Sequence, residues 1–225
     1  MPMSTIAICI CIFGIALLAV LFIVQVLNFN KTGAKKYCFT NFFPYELNSF
    51  RLYQKSSWIF PILSAVGLLA IIFPFILFAI VSKTAVSLSI TIILAVLAFI
   101  SAASFYVLTF IKLSNFKAHL AFDVIFVIST IVLNILMVLF FGSNHFLEFG
   151  INKSISIAIT VIGIIIFVYL FALMLNPSFK HWAKLVKYDS DNYVRPKFSY
   201  LCMLEWGTFL GLILSLIPLF LAMFF

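Results

Sequence analysis

Residues 5–27 read TIAICICIFGIALLAVLFIVQVL, and no Asp, Glu, Lys or Arg interrupts them. Wound as an α-helix at about 1.5 Å per residue, a run of this length matches the ~30 Å hydrocarbon core of a bilayer. A helix that is apolar on every face has no side to offer to water. Five further runs repeat the pattern: 58–81, 85–111, 120–141, 154–175 and 200–225, broken only by Asp123 and Glu205. Composition agrees, because 65% hydrophobic residues, 9% charged residues and a mean hydropathy of +1.27 leave too little polar surface to clothe a water-soluble globule. The chain therefore reads as an all-α polytopic membrane protein, a bundle of six transmembrane helices. Its connectors are too short to fold alone, so residues 1–225 form one domain.

The connectors also give a direction. Lys31, Lys35, Lys36, Arg51 and Lys55 lie between the first and second runs, Lys112 and Lys117 between the third and fourth, and Lys180, Lys184, Lys187, Arg195 and Lys197 between the fifth and sixth. The alternate connectors hold only Lys83 and Lys153. Positive charge stays on the cytoplasmic side of a cell membrane, so the odd-numbered connectors belong inside and both chain ends outside. The formal charge of +8 is then a cytoplasmic collar facing anionic lipid headgroups, and no nucleic-acid role is needed to explain it. The first run lacks the basic flank and small-x-small site of a cleaved signal and reads as a permanent span.

Within the fifth connector, Ser178 can cap a helix over about 178–188. Phe179, Trp182, Ala183, Leu185 and Val186 would share one face, with Lys180, His181, Lys184, Lys187 and Tyr188 on the other. This is the pattern of a short amphipathic helix lying on the membrane surface, with Trp182 at headgroup level. The first connector carries Tyr37, Phe39, Phe42, Phe43, Pro44, Tyr45 and Leu47, read by default as an interfacial aromatic belt, or else as a contact with another subunit. Cys9 and Cys11 fall on different faces of a helix, Cys38 and Cys202 face a reducing compartment in this topology, and no disulfide is expected.

Polar side chains inside spans are costly unless partnered. Asp123, Thr130 and Asn134 recur at intervals that place them on one face of the fourth span, and Glu205 and Thr208 share a face of the sixth. Together they could line a polar cavity near the inner leaflet; the plainer account pairs the two carboxylates with Lys117, Arg195 or Lys197 or leaves them at the rim. Gly207, Gly211 and Ser215 form a small-xxx-small stripe nearly opposite Glu205 and Thr208, which leaves the sixth helix either central or at an oligomer interface, and Ser87, Thr91, Ala95, Ala98, Ala102 and Thr109 make a packing seam along the third. Pro61, Pro74 and Pro218 could kink their helices.

No catalytic signature is present: no HExxH, no G-x-S-x-G and no glycine-rich phosphate loop. The histidines His119, His145 and His181 fall outside the runs, which argues against haem ligation, and no cofactor is expected. The reading is a nonenzymatic accessory, assembly or immunity-type membrane component acting through helix contacts with a membrane-protein partner or a second copy. Its alternative is a small secondary transporter or channel built around the polar residues.

Overall fold

The computed structural model describes residues 3–32, 36–47, 59–81, 85–142, 151–175 and 199–224, and all regular structure among them is helical. In chain order these are α1 (Met3–Thr32), α2 (Ile59–Val81), α3 (Ala85–Leu108), α4 (Phe116–Met137), α5 (Lys153–Met174), α6 (Tyr200–Leu214) and α7 (Leu216–Phe224). Six rods are long and apolar enough to cross a membrane, with α6 and α7 together forming the last. The chain is a multi-pass membrane-type helical bundle. The surface helix read over 178–188, with Phe179, Lys180, Trp182, Lys184 and Lys187, lies outside the described residues.

Several boundaries differ from the hydropathy runs for local reasons. Helix α1 runs past Leu27 to Thr32. Asn30, in its last turn, accepts a hydrogen bond from the Tyr37 backbone N–H at 2.6 Å. Helix α3 stops at Leu108, three residues short of the expected end. Helix α4 begins at Phe116 rather than 120, one turn earlier, and thereby takes His119 into the span. It ends in a wider π-type turn, Val138–Gly142, whose Phe141 carbonyl accepts from Ser156 Oγ on α5 at 2.7 Å. Between α6 and α7 the break has a covalent cause. Pro218 has no N–H to give to the carbonyl four residues back, and its ring crowds that carbonyl, so the helix cannot pass unbroken through Leu214. Pro74 sits inside α2, and Pro61 in its first turn, where a missing N–H costs nothing.

The sixth rod is central. Helix α6 packs against α3, α4 and α5, and α7 against α1, α2 and α5. Around it the core is built from Leu94, Phe126, Leu133, Met137, Ile159 and Leu212, all at most 1% exposed. Large apolar residues such as Ile12, Ile80, Ile165 and Val168 point outward, as lipid-facing side chains do. Glycines bring rods together: a Cβ on Gly14 would lie 2.7 Å from the Ala70 Cβ and 2.8 Å from the Gly67 carbonyl oxygen, so α1 and α2 touch at the backbone.

Residues 42–47 fold inward, which corrects the aromatic-belt reading for them, while Phe39 stays exposed. Phe42, Phe43, Tyr45 and Leu47 are buried, with Phe43 fully so. The local sequence explains the turn at 44–47. Pro44 stands at its first helical position, and Glu46 reaches back so that its carboxylate accepts from the Phe43 N–H at 2.7 Å, half of a capping box. Long-range bonds fix the segment. Ser199 N–H donates to the Thr40 carbonyl at 2.6 Å, and Trp206 Nε1–H to the Phe42 carbonyl at 3.2 Å. Belt residues would keep their polar ends wet; here the backbone of the segment is bonded to the last helix instead.

Candidate functional site

Where α4 and α6 face each other near the 36–47 segment, charged groups gather. His119 and Asp123, one turn apart on α4, meet Glu205 of α6, and all three are at most 1% exposed. His119 Nε2 and Glu205 Oε1 are 2.7 Å apart. The other ring nitrogen, Nδ1, is 2.9 Å from the Ile111 carbonyl oxygen. A carbonyl can only accept, so Nδ1 carries a hydrogen, and the Nε2–Oε1 contact then holds one further proton whichever partner owns it. Asp123 senses both His119 and Glu205 electrostatically. Neither of its carboxyl oxygens has a hydrogen-bond partner among the described residues, and the same is true of Glu205 Oε2, Thr208 Oγ1 and Asn134 Oδ1.

The inward segment closes this cluster. Phe43 and Tyr45 meet His119 with their rings near perpendicular to it, centroids 5.5 and 5.7 Å away at 90° and 81°. Val127, Leu201, Cys202 and Leu204 complete an apolar wall. Glu46, at the end of the capping turn, adds a third acidic group that acts on Glu205. Two of the six acidic residues of the chain thus act on one histidine, and a third acts on its partner Glu205.

Neither carboxylate takes a lysine or arginine partner in the described structure; Glu205 takes the histidine. Sequence reasoning missed His119 because the hydropathy run was started at Leu120. The signal was present all the same, since His119 lies four residues before Asp123 and extends the stripe Asp123, Thr130, Asn134 by one turn. The remaining stripe residues are cross-links. Thr130 Oγ1 meets Ser101 Oγ of α3 at 2.5 Å, and Asn134 Nδ2 donates to Ser215 Oγ at 2.8 Å and to the Thr130 carbonyl at 2.9 Å. Polar bonds therefore tie α3 to α4 and α4 to the break between α6 and α7. Thr208 sits one turn beyond Glu205 and is fully buried.

The small-residue stripe of α6 packs within the chain. A Cβ on Gly207 would lie 2.5 Å from Leu173 Cδ1, and one on Gly211 2.6 Å from Leu170 Cδ2, both on α5. Tyr169 Oη also donates to the Gly207 carbonyl at 3.1 Å. Ala98 and Ala102 belong to the main core, whereas Ala95 lines an apolar groove between α2 and α3 with Ile76, Ile92 and Val96.

On the far side of α6 lies a cavity of about 550 Å³, lined by α1, α2, α3, α5, α6 and the 36–47 segment. None of Asp123, Thr130, Asn134, Glu205 or Thr208 lines it. The polar cluster and the cavity are thus separate features, divided by one helix. Outside the spans, Cys38 is exposed, and the hydrogen bond with Thr40, Sγ to Oγ1 at 3.1 Å, holds its thiol below the ordinary value. Burial pushes the Tyr37 phenol up. Among the described residues no group of three His, Cys, Asp or Glu is arranged to hold a metal ion. Comparison with family models, curated proteins and solved structures finds no match to the chain, so the functional reading rests on this geometry alone.

Proposed function

We propose that the chain is a small membrane carrier whose coupling centre is the His119, Asp123 and Glu205 cluster, which takes up and releases a proton. One observation carries the reading: fully buried carboxyl oxygens without hydrogen-bond partners, grouped around a histidine–carboxylate pair inside two spans. A carboxylate left unpaired in such surroundings is costly, and intramembrane ionisable residues are most often kept for work rather than for packing. Within the cluster, the shared proton of His119 and Glu205 forms a reservoir, and Asp123 is the adjacent acceptor. Tyr45 and Cys202 border the same space from the inward segment and from α6. With the basic connectors read as cytoplasmic, this end of the bundle faces the cytoplasm and the centre would exchange protons with that side.

The accessory or assembly reading loses support from the packing. The aromatic segment and the stripe of Gly207 and Gly211, which could have met a partner, are engaged by the same chain. It keeps the basic collar as its strongest argument.

The test is proton movement in liposomes with an entrapped pH dye. An imposed gradient should dissipate through the wild-type protein, and Asp123→Asn should slow this at least tenfold while leaving thermal stability intact, because it removes charge from a side chain that makes no hydrogen bond. Equal rates for the wild type, Asp123→Asn and Glu205→Gln would defeat the carrier reading. Co-purification of a stoichiometric membrane partner from native detergent would favour the accessory one.

A further inference from the structure

We infer that the 550 Å³ cavity is a binding site for the acyl chain of a single-chain lipid amphiphile, whose head lies at the mouth beside residues 36–47. Its lining is sorted by depth. Thr40 of the inward segment, Gln25 near the end of α1, Ser64 near the start of α2 and Thr109 just past α3 lie at the mouth. Tyr106, whose hydroxyl donates to the Pro61 carbonyl a turn outside Ser64, belongs to the same polar rim, and Tyr169 comes deeper, its hydroxyl on the Gly207 carbonyl. Beyond them the walls are entirely apolar, from Leu18 and Ile15 on α1 to Leu68 and Ile71 on α2 and Leu210 and Ile213 on α6.

Length supports the same occupant. From Gln25 to Ile15, and from Met203 to Ile213, the lining covers ten residues of helix, about 15 Å at 1.5 Å per residue. That is half of a ~30 Å hydrocarbon core, the depth of one leaflet. An amphiphile entering from the collar face would therefore reach the middle of the bilayer as its chain filled the cavity. A polar solute would leave the deep walls unmatched, and a wholly apolar one would strand the mouth. Trp206, Phe22 and Phe39 form an aromatic cluster beside the mouth, with Trp206–Phe22 and Trp206–Phe39 centroids 5.1 and 5.3 Å apart. Because α6 divides this cavity from His119 and Glu205, the inference holds whether or not that cluster moves protons.

Trp206 reports on the site directly. In a full-length protein with Trp58→Phe and Trp182→Phe it is the single tryptophan, and a lysolipid brominated along its chain should quench it saturably. Ala19→Phe, which fills the cavity from an exposed position on α1, should weaken that quenching at least tenfold in apparent affinity, as should Gln25→Leu at the mouth to a smaller degree. Circular dichroism and detergent melting on the same samples check that each variant is folded. Quenching that rises without saturation, or that is unchanged by Ala19→Phe in a folded protein, would mean the bulk bilayer alone is sensed and would overturn the proposal. Saturable quenching by a compact brominated aromatic but not by the lysolipid would overturn the occupant.

Discussion

At the scale of single residues, His119 decides how the bundle is read. Its Nδ1 bond to the Ile111 carbonyl orients the ring, and Nε2 then points at Glu205. Substituting His119→Ala would leave the buried Glu205 without its partner. We expect a loss of about 3–5 kcal/mol of stability, as for other broken buried pairs, read by unfolding in detergent. His119→Gln, which keeps a donor, should lose less. Cys38 allows a prediction outside the membrane. Its thiol is held below the ordinary value by Thr40, so more of it is thiolate at a given pH, and a water-soluble maleimide should label it faster than it labels Cys38 in a Thr40→Val protein. The ratio of rates should be largest while both thiols are mostly protonated and vanish once both are ionised. Asp123 and Glu205 were legible in the sequence as the only acids within the runs. Their meeting with His119 was not, because a hydropathy run ends where charge begins and histidine at its edge was assigned to the loop.

At the scale of elements, close approach and polar cross-links do different work. Gly14 lets α1 lie against the backbone of α2, where an added side chain would meet the Gly67 carbonyl rather than a movable side chain. Gly14→Val should cost roughly 1–3 kcal/mol by overpacking, seen as a lower midpoint in denaturing detergent. Ser215→Ala removes the hydroxyl that accepts from Asn134 and should cost only about 1 kcal/mol, in line with the modest worth of hydrogen bonds between membrane helices. Apolar length and the spacing of Gly207 and Gly211 made the rods and their small faces readable. Which neighbour those faces meet was not, since a stripe states that something approaches closely without naming it. The inward course of residues 42–47 was also hidden. Its aromatic content fits a membrane surface as well as a core, and only the bonds of Thr40 and Phe42 to Ser199 and Trp206, far along the chain, separate the two.

At the scale of the whole molecule, six charge-poor runs made the six rods legible in the sequence, whereas the partition of twelve of the fourteen Lys and Arg residues speaks only to their orientation. Residues 36–47, Ile111 and Ser199, the described parts of the odd connectors, share one end of the bundle, and its sidedness is open to a direct measurement. Cys38 should react with an impermeant maleimide only when the cytoplasmic face is exposed, and a cysteine placed at Lys153 only from outside; the reverse pattern would invert the orientation argued from charge. The bond from Trp206 to the Phe42 carbonyl spans 164 positions. A ribosome making about 5–20 residues per second needs roughly 10–30 s to cover that distance. During this interval the newly made segment around Phe43 has no final helix to fold against. Nascent chains stalled before Tyr200 should consequently display these rings at the membrane surface, where chaperones and degradation machinery can find them.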